Sequence, residues 1–598
     1  MILQALTRYY ERLLKQGAEG VAPPGYSPGK ISYEIVLAAD GRVAAVNDIR
    51  DTSGKKPRPD SLIVPQPPKR SSNIAPCFLS DKTSYVLGVS ATSKRAEQEH
   101  TAFKNLHLQQ VGKSDDPGLQ ALCRFLKSWS PDTFTADSRF SEDMLDANLV
   151  FRLDGDRQRL HERAAARAIW EQLVSASEAT TPQTCLITGD ERPPALLHPA
   201  IKGVRGAQSS GASIVSFNLD SFKSYGKDQG ANAPISEKAT FAYTTALNYL
   251  LRAGSDNFQK LQIGDTTVVF WAEADDTGQA EEAELTFGAL LNGVTADDDS
   301  EAQKIRDVLE NVVKGRPLTS VDPKLQDGTR MFVLGLAPNA SRLPIRFWED
   351  GTLGVFARRF AEHAQDLRIE PLPWKSAPSA RRVVLATAPN RAGIKPKMDG
   401  LAANLVGEFL RAVLTGRPYP RSLLAATLMR MRADHTISGL RAAICKAIPS
   451  REYRLGLRQR EEEPPVSLNK ESTHPGYRLG RLFAVLEDVQ RGALGGRVNA
   501  TIRDRYYGAA SATPASVFPI LLRNAQNHLA KLRKEKPGFA VNLEKDIIEI
   551  IGGLPEAFPR SLPIEAQGQF AIGYYHQSQA RFKKSDKDNE TKPEGAHA

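Results

Sequence analysis

The chain has 598 residues and a formal net charge of +10, with a sequence pI near 9.2. Its length allows several hydrophobic cores, and the positive charge favours an acidic partner such as nucleic acid or a membrane surface. Apolar runs stay below the roughly 18 residues that a transmembrane helix needs, so no bilayer-spanning segment is predicted. The cysteines, Cys77, Cys123, Cys185 and Cys445, lack C-x-x-C spacing. This argues against a zinc ribbon or a disulfide framework and favours a reducing, cytoplasmic location.

The N-terminal third alternates between helical and strand patterns. Apolar residues from Ile2 to Leu14 recur at helical spacing and predict an amphipathic helix rather than a signal peptide. A hairpin is predicted around the Asp40-Gly41 turn, with strands at 32–38 and 42–46. Further strands are predicted near residue 62 and at 85–89, 149–153 and 184–190, and helices at 93–112, 117–129 and 157–178.

The stretch from Leu197 to Leu251 combines two polar loops with a helix. We predict a strand at 212–217 between the loops and a helix from Glu237, with Ser236 as its N-cap. The first loop contains Lys202, Gly203, Arg205, Gly206, Gln208, Ser209, Ser210 and Gly211, and the second contains Asn218, Tyr225, Gly226, Lys227 and Asn232. Glycines allow a backbone to approach a partner closely, amides and hydroxyls offer hydrogen bonds, and cations favour a polyanion.

The glycines of the first loop match neither a P-loop nor a G-x-S-x-G nucleophile elbow. The plain alternative to a binding loop is a polar connector between a strand and a helix. A second candidate loop follows the strand near residue 62, where Pro67 and Pro68 precede the polar group Lys69, Arg70, Ser71, Ser72 and Asn73. The prolines restrict the backbone, so this group is expected to be partly preorganised. An exposed charged turn is the alternative there.

The remainder predicts an α+β fold. A hairpin is expected around Gly264-Asp265, two strands within 331–350, and helices at 278–315 and 353–368. After a proline-rich segment that starts at Pro371, a strand is predicted at 381–387 and helices at 401–414, 421–432, 437–448, 479–492, 516–535 and 543–551. We therefore predict a mixed α/β region at 1–375 and a helical C-terminal domain at 376–598. The tail after Phe582 is predicted to be disordered.

Catalytic constellations are weak in this sequence. Asp434-His435 lacks a second His/Asp pair at metal spacing, and His198 and His576 are better explained as packed or loop-bonding histidines. No metal or cofactor is predicted, and the lack of paired carboxylates or a nucleophile motif favours a non-enzymatic nucleic-acid recognition subunit. The alternative is an uncharacterised cytoplasmic nuclease or hydrolase that uses the polar loops at 198–232. A purely structural scaffold would leave the basic, glycine-rich loops without a purpose.

Seven blocks of the sequence, in order, resemble the large subunit of the type I-C CRISPR surveillance complex (Cascade). The 197–251 stretch is one of them. The others are MILQALTRYYERLL, SSNIAPCFLSDKTSYVLG, LGLAPNASRLPIRFWEDG, YRLGRLFAVLEDVQ, TIRDRYYGAASATPASVFP and EAQGQFAIGYYHQ. They span nearly the whole chain, which makes the resemblance specific.

The resemblance implies a subunit that recognises the PAM in target double-stranded DNA, starts duplex opening and R-loop formation, and docks a separate helicase–nuclease. Its implied partners are CRISPR RNA and the backbone and crRNA-end subunits of the complex. It also implies that residues from about 479 to 598 are made as a separate small subunit. No methionine follows Met431, so an internal start there would use a non-AUG codon.

Chemistry within these blocks suggests individual roles. We predict that Ser72, Asn73, Gln208 and Ser209 contact bases of the PAM, since amides and hydroxyls can read base edges. We predict that Lys69, Arg70, Lys202 and Arg205 contact phosphates and set the register. The 1–375 region would then recognise the PAM and dock on the crRNA-containing complex, while the helical domain lines the path of the DNA strands.

Overall fold

The computed structural model describes the chain except residues 1, 54–55, 69–73, 177–180, 255, 294–298, 375–376, 390–400, 402, 459–461, 496–499 and 590–598, and it describes the backbone alone at 175–176, 299, 403 and 581–589. The chain forms two compact units. The first contains Met1–Lys202 and Ser210–Arg252, and the second contains Gly203–Ser209 and Ala253–Ala598. The predicted change from a mixed α/β region to a helical domain, near residue 375, falls inside the second unit. A domain boundary at this position stays a prediction.

The first unit is a mixture of helices and short strands. Its strands are β1 (Tyr26–Ile31), β2 (Tyr33–Leu37), β3 (Val43–Asp48), β4 (Asp60–Pro65), β5 (Ser80–Lys82), β6 (Asn148–Leu153), β7 (Gln183–Thr184) and β8 (Glu191–Arg192). Its helices are α1 (Ile2–Lys15), α2 (Thr83–Val86), α3 (Ala96–Val111), α4 (Pro117–Ser128), α5 (Thr133–Ala136), α6 (Ala164–Ala176) and α7 (Glu237–Leu250). The main sheet has the order β3-β2-β6-β5, with β2 antiparallel to β3 and parallel to β6. β1 pairs with β4, and β7 with β8, each antiparallel.

The hairpin predicted around Gly41 is confirmed and lies against α4. Gly41 has φ +90°, and a Cβ added there would lie 2.5 Å from the Cβ of Arg124 on α4. The carboxylate of Asp116 caps α4 by accepting hydrogen bonds from the backbone of Gly118 and Leu119. The apolar face of α4 then packs with the sheet in one core.

The first helix is amphipathic, as predicted, and packs against α7. The ring of Tyr10 lies edge-on to Phe241, with the centroids 6.0 Å apart, and its hydroxyl donates to the carbonyl of Ala22 at 2.8 Å. The hydroxyl of Ser236 accepts from the backbone N–H of Ala239 at 3.3 Å, which confirms Ser236 as the N-cap of α7. Both helices are therefore fixed within the first unit.

The second unit has one antiparallel sheet, in the order β12-β11-β10-β9, followed by helices. Its strands are β9 (Lys260–Ile263), β10 (Thr266–Glu273), β11 (Arg330–Leu336) and β12 (Ile345–Thr352). Its helices are α8 (Thr277–Asn292), α9 (Asp299–Val313), α10 (Leu353–Leu367), α11 (Ala380–Leu385), α12 (Ala403–Thr415), α13 (Arg421–Asp434), α14 (Gly439–Arg454), α15 (Pro475–Leu494), α16 (Ile502–Ala512), α17 (Pro514–Glu535), α18 (Pro537–Gly552) and α19 (Ile564–Asn589). The α+β fold class is confirmed.

Glycines let α15 and α19 approach closely in the helical part. A Cβ added at Gly480 would lie 2.0 Å from the carbonyl oxygen of Phe570, and one at Gly573 would lie 2.1 Å from that of Tyr477. The core of this pair is continuous with the sheet residues of the second unit. The predicted helical character of this part is thus confirmed, and α19 extends to Asn589, into the segment predicted to be disordered.

Three of the predicted strands do not form as predicted in the first unit. Residues 83–86 form the short helix α2, whose side chains are all buried, so its sequence lacks a helical period. At 184–190 only Thr184 is in a strand, because Gly189 has φ +80° and the backbones of Cys185 and Asp190 close a tight turn. At 212–217 only Ala212 and Ser213 are in isolated bridges, and Ala212 pairs with Ile201.

In the second unit, residues 380–385 are helical rather than a strand. The hydroxyl of Ser379 accepts from the backbone N–H of Arg382 at 3.3 Å and caps this turn. Helix α16 was not predicted from periodicity. Its signal is a capping box, in which the side chains of Thr501 and Asp504 accept from each other's backbone N–H.

Candidate nucleic-acid interface

The loop predicted at residues 69–73 lies outside the described residues, so Lys69, Arg70, Ser72 and Asn73 are not placed. Its two flanks are described and firmly held. On one side the backbone N–H of Gln66 donates to the carbonyl of Gly25 at 2.8 Å. On the other side the backbone N–H groups of Cys77 and Leu79 donate to Asp81 and to Nε2 of His107, both at 2.8 Å. The segment between them therefore begins and ends at fixed points of the first unit.

The stem of the glycine-rich loop is held in the first unit by Asn248 on α7. The amide oxygen of Asn248 accepts from the backbone N–H of Lys202 at 2.8 Å, and its nitrogen donates to the carbonyl of Ala200 at 3.2 Å. The backbones of Ile201 and Ala212 exchange hydrogen bonds of 2.8 and 2.9 Å. The Lys202 side chain is exposed beside this stem. No pattern in the sequence points to Asn248, because only its position in the fold reveals the contact.

The tip of the loop, Gly203–Ser209, belongs to the second unit. The backbone N–H of Arg205 lies 3.4 Å from the hydroxyl of Thr267 on β10. Gly206 has φ +82°, and a Cβ there would lie 3.2 Å from the ring of Pro338. The side chains of Arg205, Gln208 and Ser209 are exposed. The tip thus presents one cation, one amide and one hydroxyl together, whereas Lys202 is placed on the stem.

The second polar loop, residues 218–232, is braced by its own side chains. The side chain of Asn232 accepts from the backbone of Ser224 at 2.9 Å and donates to the carbonyls of Lys227 and Gln229, each at 3.0 Å. Ion pairs from the ammonium group of Lys223 to the carboxylates of Asp220, at 3.0 Å, and Asp228, at 2.9 Å, brace the same loop.

Tyr225 projects from this braced loop. Its side chain is 98% exposed, and its φ of +52° is uncommon for a bulky residue. An exposed aromatic ring on a braced, strained turn suits a contact with a partner better than it suits folding. The sequence places Tyr225 in the second polar loop but does not predict a role for it. The feature of the sequence that could have pointed to Tyr225 is the Tyr-Gly pair between Lys223 and Lys227.

His198, at the start of this stretch, is a structural residue. Its Nδ1 lies 2.5 Å from the hydroxyl of Tyr243 on α7, and burial lowers the pKa of His198 to about 4. It is therefore neutral at pH 7, and it holds the chain before the stem. This confirms the prediction of a hydrogen-bonding loop histidine.

The other catalytic candidates are also engaged in structure. Asp434 forms ion pairs with Arg441 and Arg430, and His435 ends α13 with φ +50°. His576 is buried with its Nδ1 2.9 Å from the hydroxyl of Tyr477, and burial lowers the pKa of His576 to about 4. Across the described residues, no three His, Cys, Asp or Glu side chains lie together in a way that could hold a metal ion. No described helix is long and apolar enough to cross a membrane.

Comparison with known proteins finds a family match along nearly the whole chain. The model of a family described as CRISPR-associated protein (Cas_Csd1) matches residues 6–582. The match includes the flanks of the 69–73 loop, the glycine-rich loop and the helical C-terminal part. A search of curated proteins finds no match.

Proposed function

Because the chain belongs to the Cas_Csd1 family of CRISPR-associated proteins, the large subunits of type I-C surveillance complexes, we propose that it recognises the PAM in target duplex DNA. Such a complex contains CRISPR RNA and further Cascade subunits. The guide RNA reads the target by base pairing, so a protein subunit needs to read only the short PAM and to begin strand separation.

The observation that carries this proposal is the tip of the glycine-rich loop. Arg205, Gln208 and Ser209 are exposed on a segment whose backbone is bonded to β10 and bent by Gly206. A bidentate amide can read a base edge, and a guanidinium can hold a phosphate. We assign base contacts to Gln208 and Ser209, and phosphate contacts to Arg205 and Lys202.

We extend the same assignment to the 69–73 loop. Ser72 and Asn73 would contact bases, and Lys69 and Arg70 would contact phosphates. The fixed flanks of this segment support the proposal, because a short loop with anchored ends can present its side chains at a constant place. Replacement of Asn73 by alanine should weaken PAM binding by about 1–3 kcal/mol, as expected for a good base contact. Replacement of Lys69 by alanine should instead weaken binding to all duplexes and lower the salt slope by about one unit.

Tyr225 supplies the next step, the opening of the duplex. An exposed aromatic ring can stack on a base that has left the helix, which is worth about 1–3 kcal/mol per base in single-strand binding. The braced turn would hold the ring in place before binding. We therefore propose that Tyr225 stabilises the first unpaired base beside the PAM.

A paired binding measurement on assembled complexes tests the PAM assignment. Gln208→Ala should weaken binding to a PAM-bearing duplex and leave binding to a pre-opened target nearly unchanged, because no PAM reading is needed there. Gln109→Ala, an exposed glutamine on α3, is the matched control. Equal losses on both targets would place Gln208 in general strand contact. No loss on either would make the loop a structural connector.

We propose that the chain is non-catalytic and cytoplasmic and that it docks a separate helicase–nuclease. The ion pairs of Asp434 support a structural role for the Asp434-His435 pair. The alternative of a nuclease or hydrolase that uses residues 198–232 predicts cleavage of DNA or RNA by the purified chain with magnesium or manganese. Cleavage that disappears in His198→Asn would establish the alternative, and metal-dependent cleavage that disappears in Asp434→Asn would contradict the structural role of Asp434.

The helical end also fits the proposed small subunit. α15 packs most extensively on α19, and the hydroxyl of Tyr477 bonds His576 across this pair. Since α15 begins at Pro475 with His474 as its cap, a fragment that starts at His474 should fold better than one that starts at Leu479. Circular dichroism and thermal melting of the two fragments test this, and an unfolded spectrum for both would contradict an independent small subunit.

A further inference from the structure

The first unit contains a cavity of about 530 Å³ that the proposed function does not use. Its walls come from residues 23–26, Gln66, α6, the segment 192–199 and the first turns of α7. Gln66 precedes the 67–73 segment, and Pro199 lies shortly before Lys202 in the chain. A cavity of this size falls in the range of small-molecule and cofactor sites.

Two residues that line this cavity carry buried hydroxyl groups without a hydrogen-bond partner among the described residues. They are Tyr26, which is 8% exposed, and Thr240, which is 1% exposed. Other threonines on α1 and α7 behave differently: Thr7 and Thr244 donate to the carbonyl four residues earlier, at 2.9 and 2.8 Å. Neither hydroxyl oxygen is accessible to water in the free protein, so a ligand can bond to Tyr26 or Thr240 only after a small shift of the cavity wall. Such a bond would then satisfy a buried group that has no partner among the described residues.

Exposed charged side chains also line the cavity. Arg167 and Glu171 are one turn apart on α6, and Arg192 and Lys238 add two further cations. Burial raises the pKa of Tyr26, and the charges of Arg167 and Glu171 act on it in opposite directions, which places both charges near its hydroxyl. The cavity therefore offers both donors and an acceptor to a polar ligand.

Aromatic rings complete the wall and are held rigidly. The indole N–H of Trp170 donates to the carbonyl of Gly25 at 2.7 Å, and its ring stacks on Phe78 with the centroids 5.4 Å apart. Phe241 is fixed edge-on to Tyr10. Flat apolar walls with a few buried polar groups are typical of pockets that accept an unstacked base.

From these features we infer that the cavity binds a single unpaired nucleotide, with a preference for guanine. Arg167 would donate to the O6 and N7 edge of the base, and Glu171 would accept from its N1–H and exocyclic amine. The hydroxyls of Tyr26 and Thr240 would bond the remaining polar atoms. Arg192 and Lys238 would hold the phosphate. The inference goes beyond PAM recognition, because the ligand is a single nucleotide and not a duplex motif.

The experiment uses the full chain and two fluorescently labelled guanosine trinucleotides, one of RNA and one of DNA. Binding of each probe is measured by its fluorescence anisotropy. We expect saturable binding of at least one, about tenfold tighter than the uridine or thymidine trinucleotide. Stronger binding of the RNA would indicate a guide nucleotide as the natural ligand, and stronger binding of the DNA a nucleotide of the separated target. Because no PAM or duplex is present, failure here leaves the PAM proposal untouched, and failure of the PAM test leaves this site untouched.

Variants separate the cavity from general charge attraction. Arg167→Gln should weaken guanosine trinucleotide binding about tenfold or more, since a charge-assisted hydrogen bond is lost. Lys113→Gln, which removes an exposed cation outside the cavity, should leave it unchanged. Thr240→Val should weaken binding about threefold without lowering the melting temperature, because its hydroxyl has no partner among the described residues to lose in the free protein.

Photocrosslinking with 6-thioguanosine in the trinucleotide supplies an independent readout. Crosslinks should map to peptides that contain Tyr26, Trp170 or Phe241. Equal weakening by Arg167→Gln and Lys113→Gln, or crosslinks confined to other peptides, would overturn the inference. An absence of saturable binding by both trinucleotides would also overturn the inference. The same holds if a peptide from another Cascade subunit, and no nucleotide, is found to occupy the cavity.

Discussion

Gly211, at the end of the glycine-rich loop, offers a direct test of how tightly the stem is built. Its φ is +100°, and a Cβ added there would lie 2.7 Å from the Cβ of Ala200 and 3.0 Å from the carbonyl oxygen of Ile201. An L-residue in the left-handed region costs roughly 1–2 kcal/mol. Overpacking of this kind costs typically 1–3 kcal/mol more. Gly211→Ala should therefore destabilise the stem locally by roughly 2–5 kcal/mol.

Gly155 provides a matched control for the backbone term. Its φ is +79°, but a Cβ there would meet no atom within 4 Å. Gly155→Ala should thus show the cost of backbone conformation alone, roughly 1–2 kcal/mol. The difference between the two variants isolates the close contact with Ala200 and Ile201.

Hydrogen exchange is the suitable assay, because a chain with two units need not unfold in one step. The amides of Ile201 and Ala212 donate to each other's carbonyl and report directly on the stem. In Gly211→Ala both amides should exchange at least about tenfold faster, since 1.4 kcal/mol corresponds to a factor of ten. Binding of the PAM-bearing duplex should weaken in parallel. Exchange no faster than in Gly155→Ala would refute the tight stem and the role of Gly211 in it.

Three further predictions concern other parts of the molecule. Tyr225→Ser should leave thermal stability within about 0.5 kcal/mol, as for surface sites, but should slow opening of a duplex target in a strand-separation assay, and Tyr225→Trp should retain it. Asp366→Asn should destabilise the second unit by about 3–5 kcal/mol in denaturant melts, because it leaves the fully buried Arg451 without its carboxylate, whereas an unchanged midpoint would show that other acceptors suffice. Burial lowers the pKa of His107 to about 4, below its unfolded value near 6.5, so its stability contribution is complete above pH 6.5 and is lost as the pH falls towards 4. Melting at pH 7 and pH 5 should show this loss, with protonation of Nε2 breaking the bond from Leu79, and His107→Gln should reduce the difference.

The sequence predicts elements well where one face is buried and the period is clear. α1 and α7 were recognised by their apolar stripes, and the cap at Ser236 by its type. The strand at 212–217 could not be excluded from the sequence, because a strand depends on a partner, and in the structure only isolated bridges at Ala212 and Ser213 form. The helix at 83–86 is buried on every side, so no pattern distinguishes it from a strand.

For the candidate site, even less could be predicted from the sequence. Residue type identified Arg205 and Gln208 as exposed polar groups, and the glycine pattern identified the bends of their loop. The clamp from Asn248 to the stem depends on which face of α7 lies beside residue 200, and the unsatisfied hydroxyl of Thr240 depends on the same packing. Such contacts arise between segments that are distant in sequence, and residue types alone do not specify them.

The proposed contacts on the glycine-rich loop and on the second polar loop lie on backbone that is fixed before any ligand arrives. The stem is held by Asn248, the second loop by Asn232, and the flank of the 69–73 segment by His107, each through side-chain bonds to backbone groups. Ordering a flexible side chain at an interface costs about 0.5–1.5 kcal/mol, so loops that are ordered in advance lose less on binding. A PAM is short and offers few base contacts, which leaves little binding energy to order a mobile loop. We therefore propose that preorganisation of the glycine-rich loop and the second polar loop lets a few exposed side chains, such as Gln208 and Tyr225, recognise so small a target.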